Sequence, residues 1–285
     1  MTLFQRRWLL PTMALVMVLA GCATQPGVDS RTDSNGEVQA YAPNRSEGVT
    51  ADLVTESDEG DLAKRSRLRL ELASAYFSQG QTATALDEVK RALQANPNNG
   101  LAYNLRGLIY ASLGEQALAE ESFRRSLQLS SNDADAMHNY GWYLCGLRRY
   151  AEAQAQFSRA LTVPQYREQS KTWLAQGICE ARAGDLVAAE KSLLHSYELD
   201  ASNPATAFNL AEVLLRAGNL DRARFYVQRI NAVPDYTNAD SLWLAARIEY
   251  RRGNVAAADE LGAQLRTRYP NSRQANAYDQ RQFDE

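Results

Sequence analysis

Small side chains recur along the chain at a spacing that predicts pairs of crossing helices. Six small residues stand at intervals of 34, 34, 36, 34 and 35, and an alanine follows each of them twelve positions later. Two small positions let two helices approach closely, and large apolar residues fill the space around the crossing. The pattern therefore predicts six helical hairpins. The first set is Ala73, Gly107, Gly141, Gly177, Ala211 and Ala246, and the second is Ala85, Ala119, Ala153, Ala189, Ala223 and Ala258.

Glycine marks the turn between the two helices of each predicted hairpin. It stands seven positions after the small residue in every unit except the third, which has Arg148 there. Glycine readily adopts the positive φ that ends a helix. A unit of about 34 residues with these constraints resembles the tetratricopeptide repeat. Because no hairpin can bury its apolar face alone, we predict an all-α, right-handed superhelical solenoid of six tetratricopeptide repeats.

The predicted repeat domain spans residues 61–285 and includes three departures from the pattern. Its repeats cover about 66–99, 100–133, 134–169, 170–203, 204–238 and 239–272, and a short tail follows. Glu180 and Glu249 stand near the ends of first helices, where a large apolar residue is usual, and Gly262 replaces the usual aromatic residue of a second helix. We expect both glutamates to be solvated, a partner contact being the alternative. We also expect the fourth and sixth hairpins to be looser than the others.

Residues 1–21 have the features of a lipoprotein signal peptide. Two arginines precede an apolar stretch of thirteen residues, whereas a membrane-spanning helix needs ~20. Residues 19–22 read LAGC, which resembles a bacterial lipobox; an ordinary secretory signal with a chance cysteine is the alternative. We predict that Cys22 carries a diacylglycerol and an N-acyl chain. Ala23 is not the aspartate that often retains lipoproteins at the inner membrane, so the analogy predicts the periplasmic face of the outer membrane.

Residues 22–60 join this predicted anchor to the repeats. Turn-forming and acidic residues dominate the segment, and Tyr41 is its only aromatic residue. Such a segment buries too little apolar surface to offset the entropy of ordering it. We predict a flexible tether, and the alternative is a motif that orders on a partner.

Cys145 and Cys179 remain once Cys22 is lipidated, and they stand near the ends of successive first helices. The axes of packed helices lie ~8–10 Å apart. A disulfide needs Cα atoms ~4.4–6.8 Å apart, which facing side chains on neighbouring helices can meet. In an oxidising compartment we favour a bridge between Cys145 and Cys179, with two buried thiols as the alternative.

Composition narrows the range of functions. The net charge of −3 and the pI near 5.6 argue against a nucleic-acid partner. The two histidines lie far apart in the sequence, with no acidic motif beside them, which argues against a metal or catalytic site. The chain also has no phosphate loop, nucleophile elbow or zinc-protease motif. We predict a non-enzymatic protein with no metal, no cofactor beyond its lipid and no small-molecule substrate.

The concave wall of such a solenoid is a groove for a protein segment, lined mainly by the first helix of each repeat. The side chains expected there are mostly apolar or aromatic, which favours hydrophobic docking. Asn104 and His138 are the candidates for bonding the amides of the partner. The alternative is that many of these side chains pack between repeats. The candidate groove residues are Leu70, Phe77, Asn104, Leu108, His138 and Trp142.

A specific set of residues in the third and fourth repeats accompanies the lipobox: Asn139-Tyr140-Gly141, Leu144-Cys145, Arg149-Tyr150, Ala153, Phe157, Pro164-Gln165-Tyr166, Trp173, Gly177, Cys179 and Gly184. With these residues, the lipobox and all six repeats together resemble the PilF/PilW family of type IV pilus biogenesis lipoproteins, the pilotins of the pilus secretin. The resemblance implies a non-enzymatic outer-membrane lipoprotein that binds secretin subunits and supports their targeting and multimerisation. It implies a contact in the early repeats, around Leu70, Phe77, Asn104 and Leu108. An outer-membrane lipoprotein that coordinates peptidoglycan synthesis or β-barrel assembly is the alternative.

Overall fold

A computed structural model describes residues 60–283, which form thirteen α-helices and no strand. The predicted signal peptide, Cys22 and nearly all of the predicted tether lie outside the described residues. None of the described helices is long and apolar enough to cross a bilayer. The helices are α1 (Asp61–Ser78), α2 (Thr82–Ala95), α3 (Gly100–Ser112), α4 (Gln116–Leu129), α5 (Ala134–Gly146), α6 (Tyr150–Leu161), α7 (Gln169–Ala183), α8 (Leu186–Leu199), α9 (Pro204–Arg216), α10 (Leu220–Asn231), α11 (Ala239–Arg251), α12 (Val255–Arg268) and α13 (Arg273–Asp279).

Helices α1 to α12 pair as six consecutive hairpins, and the small residues lie where the paired helices cross. A Cβ added to Gly107 would stand 2.8 Å from the ring of Phe123, and one added to Gly177 would stand 2.6 Å from Leu193. Such distances are too short for any side chain, so the second helix fills the space that glycine leaves free. The prediction of an all-α solenoid of tetratricopeptide repeats is confirmed.

The turn between paired helices keeps one geometry in all six repeats. Five turn glycines have φ between 74° and 92°, and Arg148 has φ of 60° at the same place in the third repeat. The left-handed conformation costs a non-glycine residue ~1 kcal/mol or more, which the packing on both sides of the turn must offset. The third repeat therefore has arginine in place of the turn glycine but keeps the same turn conformation.

The two glutamates that interrupt the pattern are buried, so the expectation that they are solvated is wrong. Glu180 accepts hydrogen bonds from the Ser192 hydroxyl at 2.7 Å and from the Gln176 amide at 2.9 Å. Glu249 accepts one from Nε of Arg224 at 2.5 Å. A buried carboxylate is tolerated only when such partners replace its water. In each case a partner comes from a second helix, so these bonds tie two helices together.

Helix α13 completes the sixth hairpin. A Cβ on Gly262 would lie 2.0 Å from the ring of Tyr278, whose side chain fills the space left by the missing aromatic residue. The Tyr278 hydroxyl donates to Asp259 at 2.6 Å. Phe283 then stacks on Tyr250, with ring centroids 4.0 Å apart. The expectation that the sixth hairpin is looser than the others is therefore wrong, because the tail supplies its core.

Candidate partner-binding surfaces

The predicted groove includes three apolar residues that are partly buried: Leu70, Phe77 and Leu108. Leu70 and Phe77 pack against the core cluster formed by α1, α2 and α3, and Leu108 packs against the cluster centred on repeats two and three. Their side chains therefore contribute to the packing between helices and are only partly exposed. The alternative considered from the sequence, packing between repeats, therefore accounts for much of this row.

Asn104 and His138 lie inside the array and not on an open wall. The Asn139 amide donates to Oδ1 of Asn104 at 3.2 Å, which links α3 to α5. Nδ1 of His138 lies 2.9 Å from the Thr172 hydroxyl, which links α5 to α7. The structure gives both side chains a role between successive first helices, in place of the predicted bonds to a partner's amides.

A chain of hydrogen bonds closes the corner around His138. The Tyr166 hydroxyl lies 2.8 Å from Oγ1 of Thr172, and Thr172 contacts the imidazole in turn. Burial, together with the smaller effect of the nearby Lys171 ammonium, lowers the pKa of His138 to about 4. The imidazole is therefore neutral in the folded protein at neutral pH, and its bonds serve packing.

Trp142 is the residue of the predicted groove that stands most clearly in solvent. Its side chain is 39% exposed, and the Arg182 guanidinium lies 5.0 Å from its ring centroid. A cation over an indole face is attracted by the ring quadrupole, so this pair crosses from α5 to α7 and fixes the indole. The tryptophan is available at the surface, but one face of its ring is already occupied.

Cys145 and Cys179 form a disulfide between α5 and α7. Their sulfur atoms are 2.28 Å apart and their Cα atoms 5.8 Å apart. Both residues are buried in the cluster that joins repeats two, three and four. The bridge therefore sits in the core and leaves no thiol at the surface of this region.

The Arg149-Tyr150 motif fixes the contact between repeats two and three. Arg149 donates to Glu120 at 2.9 Å and to Glu152 at 2.6 Å, and the Tyr140 hydroxyl also donates to Glu120 at 3.1 Å. The hydrogen bond from Arg149 is the main reason why the pKa of Glu120 is lowered. These bonds place Arg149 at an internal contact between repeats two and three.

The outer face of α1, defined by Leu68 and Leu72, is a surface that the sequence interpretation missed. Leu68 is 49% exposed and Leu72 is 39% exposed. The residues at the same register in later repeats, Ala102 and Leu210, are fully buried beneath a preceding repeat. No described helix precedes α1, so this stacking face is uncovered. Comparison of the repeat registers would have revealed two leucines without a covering helix.

Comparisons with known proteins agree with this fold. Tetratricopeptide repeat models match residues 70–134, 141–204 and 240–272. The solved structure of PilW, described as a widely conserved type IV pilus biogenesis factor, is 34% identical with a TM-score of 0.71, and the match covers 75% of this chain and 97% of PilW. Pseudomonas aeruginosa PilF is 24% identical with a TM-score of 0.67, and the match covers 78% of this chain and all of the solved one.

A more distant likeness shows the fold alone. YrrB, described as a tetratricopeptide repeat protein with an unusual peptide-binding site, is 21% identical with a TM-score of 0.54, and the match covers 67% of this chain and 97% of YrrB. A search of curated proteins found no match. The match to PilW, at 34% identity, extends over nearly all of that protein and over three quarters of this chain. The chain therefore belongs to the PilF/PilW family of type IV pilus biogenesis proteins built from tetratricopeptide repeats.

Proposed function

We propose that this protein is a pilotin, a lipoprotein anchored to the periplasmic face of the outer membrane through Cys22. It binds secretin subunits of the type IV pilus and promotes their targeting and multimerisation. The observation that carries the proposal is the 34% identity to PilW, a type IV pilus biogenesis factor, across 97% of that protein. The protein acts as a scaffold and not as an enzyme, because its repeats present surfaces and not reacting groups.

The α1 outer face is the secretin-docking surface in this proposal. A secretin segment covers Leu68 and Leu72 as a preceding repeat would, so it meets a face already shaped for a helix. Burying the exposed parts of both leucines contributes about 2 kcal/mol. Loss of that contribution weakens binding ~30-fold, since 1.4 kcal/mol is a tenfold change in Kd.

A double variant, Leu68→Ser with Leu72→Ser, tests the docking surface. Its affinity for purified secretin, measured by biolayer interferometry, should fall about 30-fold. Val187→Ser is the matched control, because Val187 is 83% exposed on α8, far along the array from α1. Equal binding by the double variant and the control would show that the secretin docks elsewhere.

Deletion of the gene tests the pilotin role itself. Heat-resistant secretin multimers in the outer-membrane fraction should be lost and should return with the full chain. A Cys22→Ala variant should fold normally but leave the outer membrane. It cannot be acylated at this position, and the acyl chains are the proposed membrane anchor. Normal multimers after deletion would exclude the pilotin role and favour another envelope complex.

A further inference from the structure

The same corner motif occurs twice in the chain, at the end of a second helix. Residues 163–166 read VPQY after α6, and residues 233–236 read VPDY after α10. Each corner leads into the first helix of the next repeat. The spacings between small residues that contain the corners are the two longest, 36 residues from Gly141 to Gly177 and 35 from Ala211 to Ala246. The two corners therefore occupy equivalent places in repeats three and five but differ in the residues around them.

The corner in repeat three is closed. Tyr166 packs against Ala134, Met137 and Ala160, and its hydroxyl lies 2.8 Å from Thr172. Thr172 in turn contacts His138 at 2.9 Å. The hydroxyl of Tyr166 thus connects this corner to the first helix of the next repeat.

The corner in repeat five is open. Phe208 stands in the place of His138, and Ser241 stands in the place of Thr172. Ser241 donates to Oδ1 of Asn231 at 2.6 Å and not to the tyrosine, so Tyr236 remains 39% exposed. Between α9 and α11 lies a cavity of about 380 Å³, lined by Pro204, Phe208, Asn209, Ile230, Tyr236 and Asn238 among others.

The charges around the two corners are also different. Gln165 and Lys171 of the closed corner are replaced by Asp235 and Asp240 at the open one, and both carboxylates are exposed. Arg229 lies beside Tyr236 in an adjoining cavity, and its guanidinium lies 5.6 Å from the Phe225 ring centroid. The open corner therefore combines an apolar cavity with an acidic rim.

We propose that this open corner between repeats five and six is a second docking site, for an extended segment of a partner protein that presents a large apolar side chain next to a lysine or arginine. The apolar side chain enters between Phe208 and Tyr236, and the basic group pairs with Asp235 and Asp240. Charge complementarity of this kind selects among partners that share the apolar residue. The site lies at the opposite end of the array from α1, and it does not depend on the proposed secretin contact.

Selection of binders from a displayed library of random nonapeptides tests the site. The purified full-length protein is the bait, and Tyr236→Ala is the first comparison because Tyr236 is exposed and bonds no core group through its hydroxyl. Selected peptides should carry a large apolar residue beside Lys or Arg and should bind Tyr236→Ala at least tenfold more weakly. A Phe225→Ala variant, which removes another exposed aromatic side chain, should bind them as the natural protein does.

The rim and the location are checked separately. Reversing the charges with Asp235→Lys and Asp240→Lys should weaken the selected peptides at least tenfold. Amide exchange of the natural protein with a synthetic copy of one selected peptide should show protection in 204–209 and 233–241, which tests the site even if a variant misfolds. The proposal is overturned if no sequence is enriched, if acidic peptides are selected, or if protection appears elsewhere. If secretin binding still depends on the α1 outer face in those cases, the pilotin proposal stands.

Discussion

Replacing Tyr278 with alanine should destabilise the sixth repeat by about 3–4 kcal/mol, the range for removing a buried aromatic side chain. The ring is buried and lies where a side chain on Gly262 would be, 2.0 Å from an added Cβ. Part of the loss is the hydrogen bond from its hydroxyl to Asp259. Tyr278→Phe isolates that part and should cost only ~1 kcal/mol.

The complementary change, Gly262→Leu, should reverse sign with its background. In the natural protein the leucine meets ring carbons of Tyr278, three of which lie 2.0–2.4 Å from its Cβ position, and it should destabilise. In the Tyr278→Ala protein it should fill the vacated space as Leu193 does in repeat four, recovering about 2 kcal/mol. Leucine also favours a helix over glycine by ~1 kcal/mol in both backgrounds, which cannot produce a reversal.

Urea unfolding followed by circular dichroism, run as a double-mutant cycle, measures this coupling. We expect an interaction energy of about 3 kcal/mol, at the upper end for residues in contact. Because repeat arrays can unfold in more than one step, amide exchange in α12 provides the local measurement. If Gly262→Leu has the same sign and size in both backgrounds, the tail does not complete the core of the sixth repeat.

Two further predictions concern the centre of the array. Replacing Cys145 and Cys179 with alanine should lower the unfolding free energy by about 4 kcal/mol on the loop-entropy estimate for a 34-residue separation. A reductant should lower the urea midpoint of the natural protein towards that of the variant and leave the variant unchanged; a shift of the variant would point to another cause. For His138, the folded pKa of about 4 lies below the ordinary value. The unfolded chain therefore binds the proton first, and stability is full above about pH 6.5 and falls by up to ~3 kcal/mol towards pH 4. His138→Gln should flatten this slope in urea titrations at pH 7 and pH 4.5, and an unaltered slope would place the titrating group elsewhere.

The hairpins could be predicted from the sequence because their constraints are local and periodic. Gly107 and Phe123 lie in one unit, and their contact recurs in each repeat with a fixed spacing. The turn at Arg148 was predictable for the same reason, since the geometry is set by the helices on both sides. The structural role of a position fixed by the repeat spacing could therefore be predicted even where its residue is not the usual one.

The errors arose where a position depends on contacts outside its own helix. Glu180 reads as a solvated residue because the sequence does not show that Ser192 from the next helix satisfies it. Gly262 reads as a gap because Tyr278 comes from beyond the last repeat. His138 was placed in the groove because register alone does not distinguish a wall residue from one that bonds the next first helix.

The position of the disulfide has a consequence for how the array fluctuates. In a linear array each repeat contacts only its neighbours, so thermal opening begins where one of these interfaces separates. The bond between Cys145 and Cys179 forbids separation between repeats three and four and confines opening to the two flanks. The α1 outer face lies on one flank, and the open corner between repeats five and six lies on the other. We therefore expect a partner that orders one flank to leave the opening free energy of the other unchanged, so that the two proposed surfaces bind their partners independently.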